Sequence, residues 1–301
     1  MTIFTSTVAD ALKETLDEIV DDPHDGFEKN ALIGDWAMVK TQSDYWEDDL
    51  EMAGPGLASA RAEGSEISLG SIKEGYKKRY IPRNFGLRLV ITQEAMEDNK
   101  YPEAIKLGKR LKRAIWKTVD VDSTNMLVRA TNASYVGGDG VALASASHTL
   151  PHGGTFSNLM STAMSPSRAA VIIATTDIRT FAGHDGTVEG AQPKCVVCPM
   201  DQWAVWEGLT KSTRAPEAGQ FNEINVVNRL NLDVVPNKYW NNTTTNWGIV
   251  TDADNGLQFR WRVRPESRTW VDNDNLVMKY AIRARWAHGW SDARGFYFSA
   301  A

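Results

Sequence analysis

One stretch constrains the fold more than any other. Residues 102–130 place Ile105, Gly108, Leu111, Ile115, Val119, Asp122 and Met126 at steps of three and four, which is one face of a long helix. Pro102 and Glu103 stand in its first turn, where a missing N–H and a negative charge are both favoured. Lys106, Lys109, Arg110, Lys112, Arg113 and Lys117 clothe the rest of its first half. At about 1.5 Å per residue such a helix runs roughly 40 Å. That is a spine, longer than a compact domain of this size usually holds. Gly137-Gly138-Asp139-Gly140 then marks a turn.

The rest of the chain reads as a mixture of strands and helices, an α+β protein. Residues 7–20 repeat Val8, Ala11, Leu12, Thr15, Leu16 and Ile19 at helical spacing. Residues 24–56 lose periodicity and end on Gly54-Pro55-Gly56, yet they carry Phe27, Leu32, Ile33, Trp36, Met38, Tyr45 and Trp46. So many large apolar groups predict an ordered arm lying on another surface rather than a disordered tail. Residues 66–72 and 76–81 read as a polar hairpin turning at Lys73-Glu74-Gly75. A two-stranded hairpin with so little apolar face is marginal alone, so it either projects or rests on a neighbour. Phe85, Leu87, Leu89 and Ile91 alternate with polar or small partners as a half-buried strand. Beyond residue 150, Ser165 with Pro166 opens a helix to about 181, and 194–199 reads as a buried strand. Asp201 caps a helix through Lys211, while 257–264 and 276–286 alternate as strands.

Charge is segregated. Residues 1–50 hold 13 acids and 3 bases, whereas 51–130 hold 10 acids and 15 bases. Contact between the two segments is expected, within a chain or between chains, with an acidic solvated tail as the alternative. The net charge of −5 argues against tight sequence-independent nucleic-acid binding by the whole molecule. Mean hydropathy of −0.36 and the absence of any long apolar window give no membrane segment. Residues 1–20, interrupted by Asp10, Glu14, Asp17 and Glu18, do not read as a signal peptide. Two cysteines build no disulfide framework.

Catalytic and metal motifs are weak. Cys195 and Cys198 are spaced C-x-x-C, but positions i and i+3 of a strand face opposite ways and no second pair exists. His148 and His152 lie in a Gly/Pro loop without a helical frame. Asp252-Ala253-Asp254-Asn255-Gly256 starts like a calcium loop, but its glycine comes one place early and no closing glutamate follows, so it reads as a turn. Nucleotide-binding, nucleophile-elbow and zinc-protease signatures are missing. No cofactor, metal or catalytic residue is assigned. Arg260, Arg262 and Arg264 share a strand face and present a line of charge to whatever lies alongside.

Four stretches carry a family likeness: 80–98 (YIPRNFGLRLVITQEAMED), 139–148 (DGVALASASH), 193–203 (PKCVVCPMDQW) and 280–295, the last with Arg283, Arg285, Asp292 and Arg294. In their order and spacing they resemble the major capsid proteins of tailed bacteriophages, especially the Mu-like prophage head-subunit group. The resemblance implies an N-terminal arm over 1–56 and an extended hairpin loop over 57–83. It further implies a peripheral domain of 84–150 with 266–301 and an axial domain of 151–265. It implies a non-enzymatic protein that self-assembles into pentamers and hexamers of an icosahedral shell in the virion, put together in the host bacterial cytoplasm. Its partners would be its own copies, a separate scaffolding protein, a portal, a decoration protein and packaged double-stranded DNA on the inner surface, with no membrane. Candidate contacts between copies are Phe27, Trp36, Tyr45, Trp46, Lys73, Lys77, Lys78, Arg79, Arg110 and Arg113. Lys73, Lys77 and Lys78 lie where some relatives form a Lys–Asn cross-link, but the asparagine and activating carboxylate have no match, and no such bond is assigned. An encapsulin-type compartment shares the same fold implication. From other classes, an enzyme with scattered catalytic residues and a DNA-binding module centred on 106–117 remain alternatives.

Overall fold

The computed structural model describes residues 14–18, 31–54, 56–67, 69–70, 72–92, 94–95, 98, 101–214, 224–240, 246–272 and 277–300. The spine is one helix of 28 residues, Tyr101–Val128. Ala104, Leu111, Ile115, Trp116, Val119, Met126 and Leu127 are buried along it, the stripe that its spacing requires. This stripe lies on a sheet ordered β1-β10-β11-β4, where β1 is Met38–Thr41, β4 Arg83–Thr92, β10 Leu257–Asp272 and β11 Val277–Trp290. β10 and β11 pair antiparallel along their whole length, β4 joins β11 antiparallel, and β1 joins β10 parallel.

Alternation decides what faces the helix. Phe259, Trp261, Tyr280, Ile282, Ala284 and Trp286 all point inward and are buried. Trp286 stacks on Phe85 with centroids 3.8 Å apart and meets Trp261 edge-on at 5.7 Å. Trp261 in turn meets Trp116 of the spine edge-on at 5.7 Å. Each such ring contributes about 1.5–3 kcal/mol through its burial.

A second sheet runs β12-β9-β7-β8, with β7 Pro193–Pro199, β8 Asp233–Asn237, β9 Trp247–Thr251 and β12 Phe296–Ser299. Central β7 is buried on both faces. Cys195 and Val197 point into the core shared with the first sheet. Val196 and Cys198 point into a second core closed by the helices Arg168–Arg179 and Trp203–Lys211. The two thiols are free, and the pleat sends them into different cores. The remaining strands are a ribbon of β2 (Glu47–Ala53) with β3 (Lys73–Tyr80), and the short pair β5 (His148–Thr149) with β6 (Thr155–Phe156).

Several expectations need correction. The hairpin does not turn at Lys73-Glu74-Gly75: these residues begin β3, whose partner is the acidic β2. An acid–base pairing across two strands outcompetes a local turn between two polar runs, and 54–72 becomes the connection. The arm over 31–53 does not leave the subunit. Its β1 adds to the first sheet, and Trp36 is 2% exposed in the main core. Of the helix expected at 7–20, residues 14–18 are described and helical; the others, and Phe27, lie outside the described residues. Leu16 is fully buried, and its carbonyl accepts from the Tyr280 hydroxyl at 2.8 Å. Ser167, not Ser165, caps the 168–179 helix, its Oγ accepting from the Ala170 N–H at 3.2 Å. Asp201 sits inside a single 3-10 turn and caps nothing. The strands also cross the expected division of the chain. Residues 257–265 belong to the first sheet, and 296–299 return to close the second.

Candidate assembly surface

The ribbon is built by charge. Register sets Asp48 opposite Arg79, and Asp49 opposite Lys78. Arg79 clasps Asp48 with two bonds of 2.7 and 2.9 Å while lying over the Trp46 ring, and Lys77 pairs with the same carboxylate. The bidentate Arg79 contact, with help from Lys77, holds Asp48 far below the usual carboxylate range.

At its root the ribbon lies across the sheet face away from the spine. Arg260 alternates with the inward Phe259 and Trp261, so it points outward, yet it is 3% exposed because the ribbon covers it. It reaches Glu47 at 2.9 Å and Asp49 at 2.5 Å, and its guanidinium lies 4.2 Å from the Tyr80 ring. Asp49 also accepts from Gln258 and Ser291, each at 2.8 Å. Farther along, Lys78 Nζ donates to the Val136 carbonyl at 2.6 Å, and the Tyr76 and Thr149 hydroxyls bond at 2.7 Å. The expected contact between acidic and basic segments therefore exists within one chain.

The 54–72 connection behaves differently. Leu57, Ile67, Leu69 and Ile72 are exposed, Leu69 at 99%. Much of this loop borders an open cleft of about 690 Å³ together with His152, Asp185 and Thr187. Apolar side chains this bare, on a segment with no core of its own, need a surface from outside.

Two polar clusters fasten the surroundings. Asp122 of the spine accepts from Arg83 at 2.6 Å and from the Trp286 indole at 2.8 Å, with His288 at 3.2 Å. Burial alone would raise its carboxyl, but His288, Trp286 and Arg83 together pull it down to about 2. In the second cluster, Arg294 bonds Asp292 at 2.7 Å and Glu189 at 2.6 Å and contacts His184, while His184 Nε2 lies 3.1 Å from Glu51 Oε1. Glu51, His184 and Asp292 have ligand atoms close enough to suit a metal ion. The Arg294 guanidinium already stands among them and supplies the positive charge.

The candidate contact residues thus divide. Trp36 is spent in the core, Lys77 and Arg79 on Asp48, and Lys78 on Val136. Tyr45, Trp46 and Lys73 are exposed on or near the ribbon, and Arg110 and Arg113 on the spine. Among the described residues, Lys106, Lys109, Arg110 and Lys117 make no ion pair or hydrogen bond through their side chains. His148, rather than ligating a metal with His152, is buried between Asp139 at 2.6 Å and Asn158 at 3.1 Å. The resemblance implied an extended loop over 57–83, but the residue pattern did not single out its bare side chains, because Leu57, Leu69 and Ile72 are scattered singly among small and polar residues. Sequence reasoning missed the Glu51–His184–Arg294 cluster because its members lie more than a hundred residues apart.

The sequence profile of the family described as "Phage capsid protein" matches residues 75–299. No curated protein matches the chain. Among solved structures, "Mycobacterium phage Adephagia" is similar at a TM-score of 0.53 and 11% identity, covering 89% of each chain. The "Procapsid of bacteriophage JBD30" is similar at 0.54 and 12%, covering 98% of this chain and 76% of that one. A "virus-like particle from Pyrococcus furiosus" is similar at 0.55 and 7%, covering 95% and 97%. At such identities the structural likeness establishes a shared fold.

Proposed function

The chain belongs to the phage capsid protein family, a structural subunit of a virion shell, and on that premise we propose that its copies form the hexamers and pentamers of an icosahedral head enclosing double-stranded DNA. The observation that carries this reading is the 54–72 loop, whose exposed leucines and isoleucines find no place in their own subunit. A neighbouring copy supplies the missing surface, as closed oligomers do. Residues 1–56 then serve as arm and 57–83 as extended loop. Residues 84–150 with 266–301 form the peripheral part, and 151–265 the part nearest the capsomer centre, with β10 and β12 stitching the two together.

The ribbon occupies the sheet face opposite the spine, which separates two sides of the subunit. Contacts between copies belong to the ribbon side. Lys106, Lys109, Arg110 and Lys117 of the spine belong to the inner side, against DNA phosphates. A separate scaffolding protein, a portal and a decoration protein complete the particle, which is assembled in the host bacterial cytoplasm. In this reading the protein performs no catalysis.

Electron microscopy of the purified protein tests the proposal. Shells, tubes or capsomers are expected, and particles isolated from cells should contain nucleic acid. Particles filled with a cargo enzyme instead would favour a compartment shell. A strictly monomeric species of 33.4 kDa at all concentrations would overturn both.

A further inference from the structure

A cleft of about 470 Å³ opens at the foot of the ribbon, between residues 78–81, the C-terminal end of the spine at Met126 and Arg129, and the end of β11. Four cations line it, Lys78, Arg79, Arg83 and Arg129, and no acid does. Arg79 and Arg83 have carboxylates of their own in Asp48 and Asp122. The other two do not. Lys78 Nζ has the neutral Val136 carbonyl at 2.6 Å and the Trp290 ring face, and its ammonium keeps further donors. Asp139, whose charge reaches Lys78, is bound to His148 at 2.6 Å. Arg129 is half-buried and lies 4.5 Å from the Tyr135 ring, with no acid paired to it among the described residues. Ile81, Tyr135 and Val136 leave apolar surface bare beside these charges. Cations set among apolar walls suit carboxylates carried on a chain that also offers aliphatic side chains.

The 54–72 loop has that chemistry. Glu63 and Glu66 are exposed, and among the described residues neither makes an ion pair or hydrogen bond through its side chain. Ile67 and Leu69, close by in the chain, are 77% and 99% exposed. In its own subunit, however, the loop stands beyond the far end of the ribbon, near His152 and Asp185. The strand from Lys73 to Lys78 keeps loop and cleft roughly 17 Å apart. We infer, on the premise that the loop joins copies, that this cleft is its receptor: Glu63 and Glu66 of one copy pair with Lys78 and Arg129 of the next, while Ile67 and Leu69 cover the bare wall around Tyr135. Loop and cleft are different patches at opposite ends of one ribbon. Contact between them is therefore heterologous, head to tail, and closes into rings when the rotation from copy to copy fits. The hexamers and pentamers proposed above are rings of that kind.

Charge reversal on the full-length protein tests the pairing, with sedimentation reading the concentration at which assembly begins. Glu63→Lys with Glu66→Lys turns the loop against the cleft. Arg129→Glu with Ser134→Glu turns the cleft against the loop, Ser134 being exposed on its rim. Each pair should raise the assembly concentration about tenfold or more, because like charges are brought together. A chain carrying both pairs should assemble within about threefold of wild type, since opposite charges meet again. Thermal melting separates lost folding from lost assembly. Where Arg129→Glu unfolds the subunit, Ser134→Glu alone carries the same test. Where the combined chain does not fold, an equal mixture of the two reversed proteins serves, because a ring alternating between them matches charge at every contact. Either reversal assembling like wild type overturns the inference. So does a reversed cleft that the reversed loop fails to repair, which would give the cleft another occupant. Wild type that never assembles would defeat the shell reading itself, and this inference with it.

Discussion

Arg260 shows how much one residue carries. It is a buried cation whose nearest acids come from β2, more than 200 positions earlier in the chain. Replacing it with alanine leaves Glu47 and Asp49 partly buried and without their cation. The expected cost is about 2–4 kcal/mol, at or below the usual range for breaking a buried pair because both carboxylates keep some water. A urea titration checks it: the midpoint should fall while the slope stays the same. The arginines at 260, 262 and 264 read as one stripe in the sequence, but register shifts at 261–263 and 263–266 interrupt the alternation there, and nothing near them in sequence marks Arg260 as the one that is covered. Burial here depends on where the ribbon lands.

At the scale of elements, the spine and the two long strands were legible, because three-and-four spacing and strict alternation are local properties of the chain. The spine's other face makes its own prediction. Lys106, Lys109, Arg110 and Lys117 lie within one stripe of roughly 16 Å, and the ribbon sits on the far side of the sheet. Exchanging all four for glutamate should lower the salt slope of DNA binding by the unassembled subunit by about 3 to 4, nearly one for each phosphate left without its cation. An unchanged slope would remove the spine from the DNA-facing surface. The ribbon itself was only half legible. Its basic strand was found, but its acidic partner was hidden, because Glu47–Ala53 has neither apolar alternation nor a turn linking it directly to β3. Opposite charge across the register, rather than periodicity, makes that pair.

At the scale of the whole molecule, the subunit folds residues 31–53 of its arm onto itself and leaves its loop bare. These two facts separate stability from assembly. Ala53 pairs with Lys73, so a short turn can replace residues 57–70 without disturbing the ribbon's register. A shortened connection also costs slightly less closure entropy. The shortened protein should melt within a few degrees of the full chain, yet microscopy should find it unable to build shells. Normal shells from that protein would show that the loop is not an assembly contact.

By itself the sequence determined the spine helix, the long alternating strands, the doubly buried strand with its two thiols turned apart, and the family likeness. Each of these depends on residues within a few turns or pleats of one another. Only the tertiary structure decided that the acidic segment binds its own chain, that Trp36 belongs to the core, and that Glu51 meets His184 beside Arg294. Those outcomes join residues between about 30 and 240 positions apart. Local periodicity carries no information about such pairings, which arise when the folded sheets bring opposite charges and apolar faces within reach.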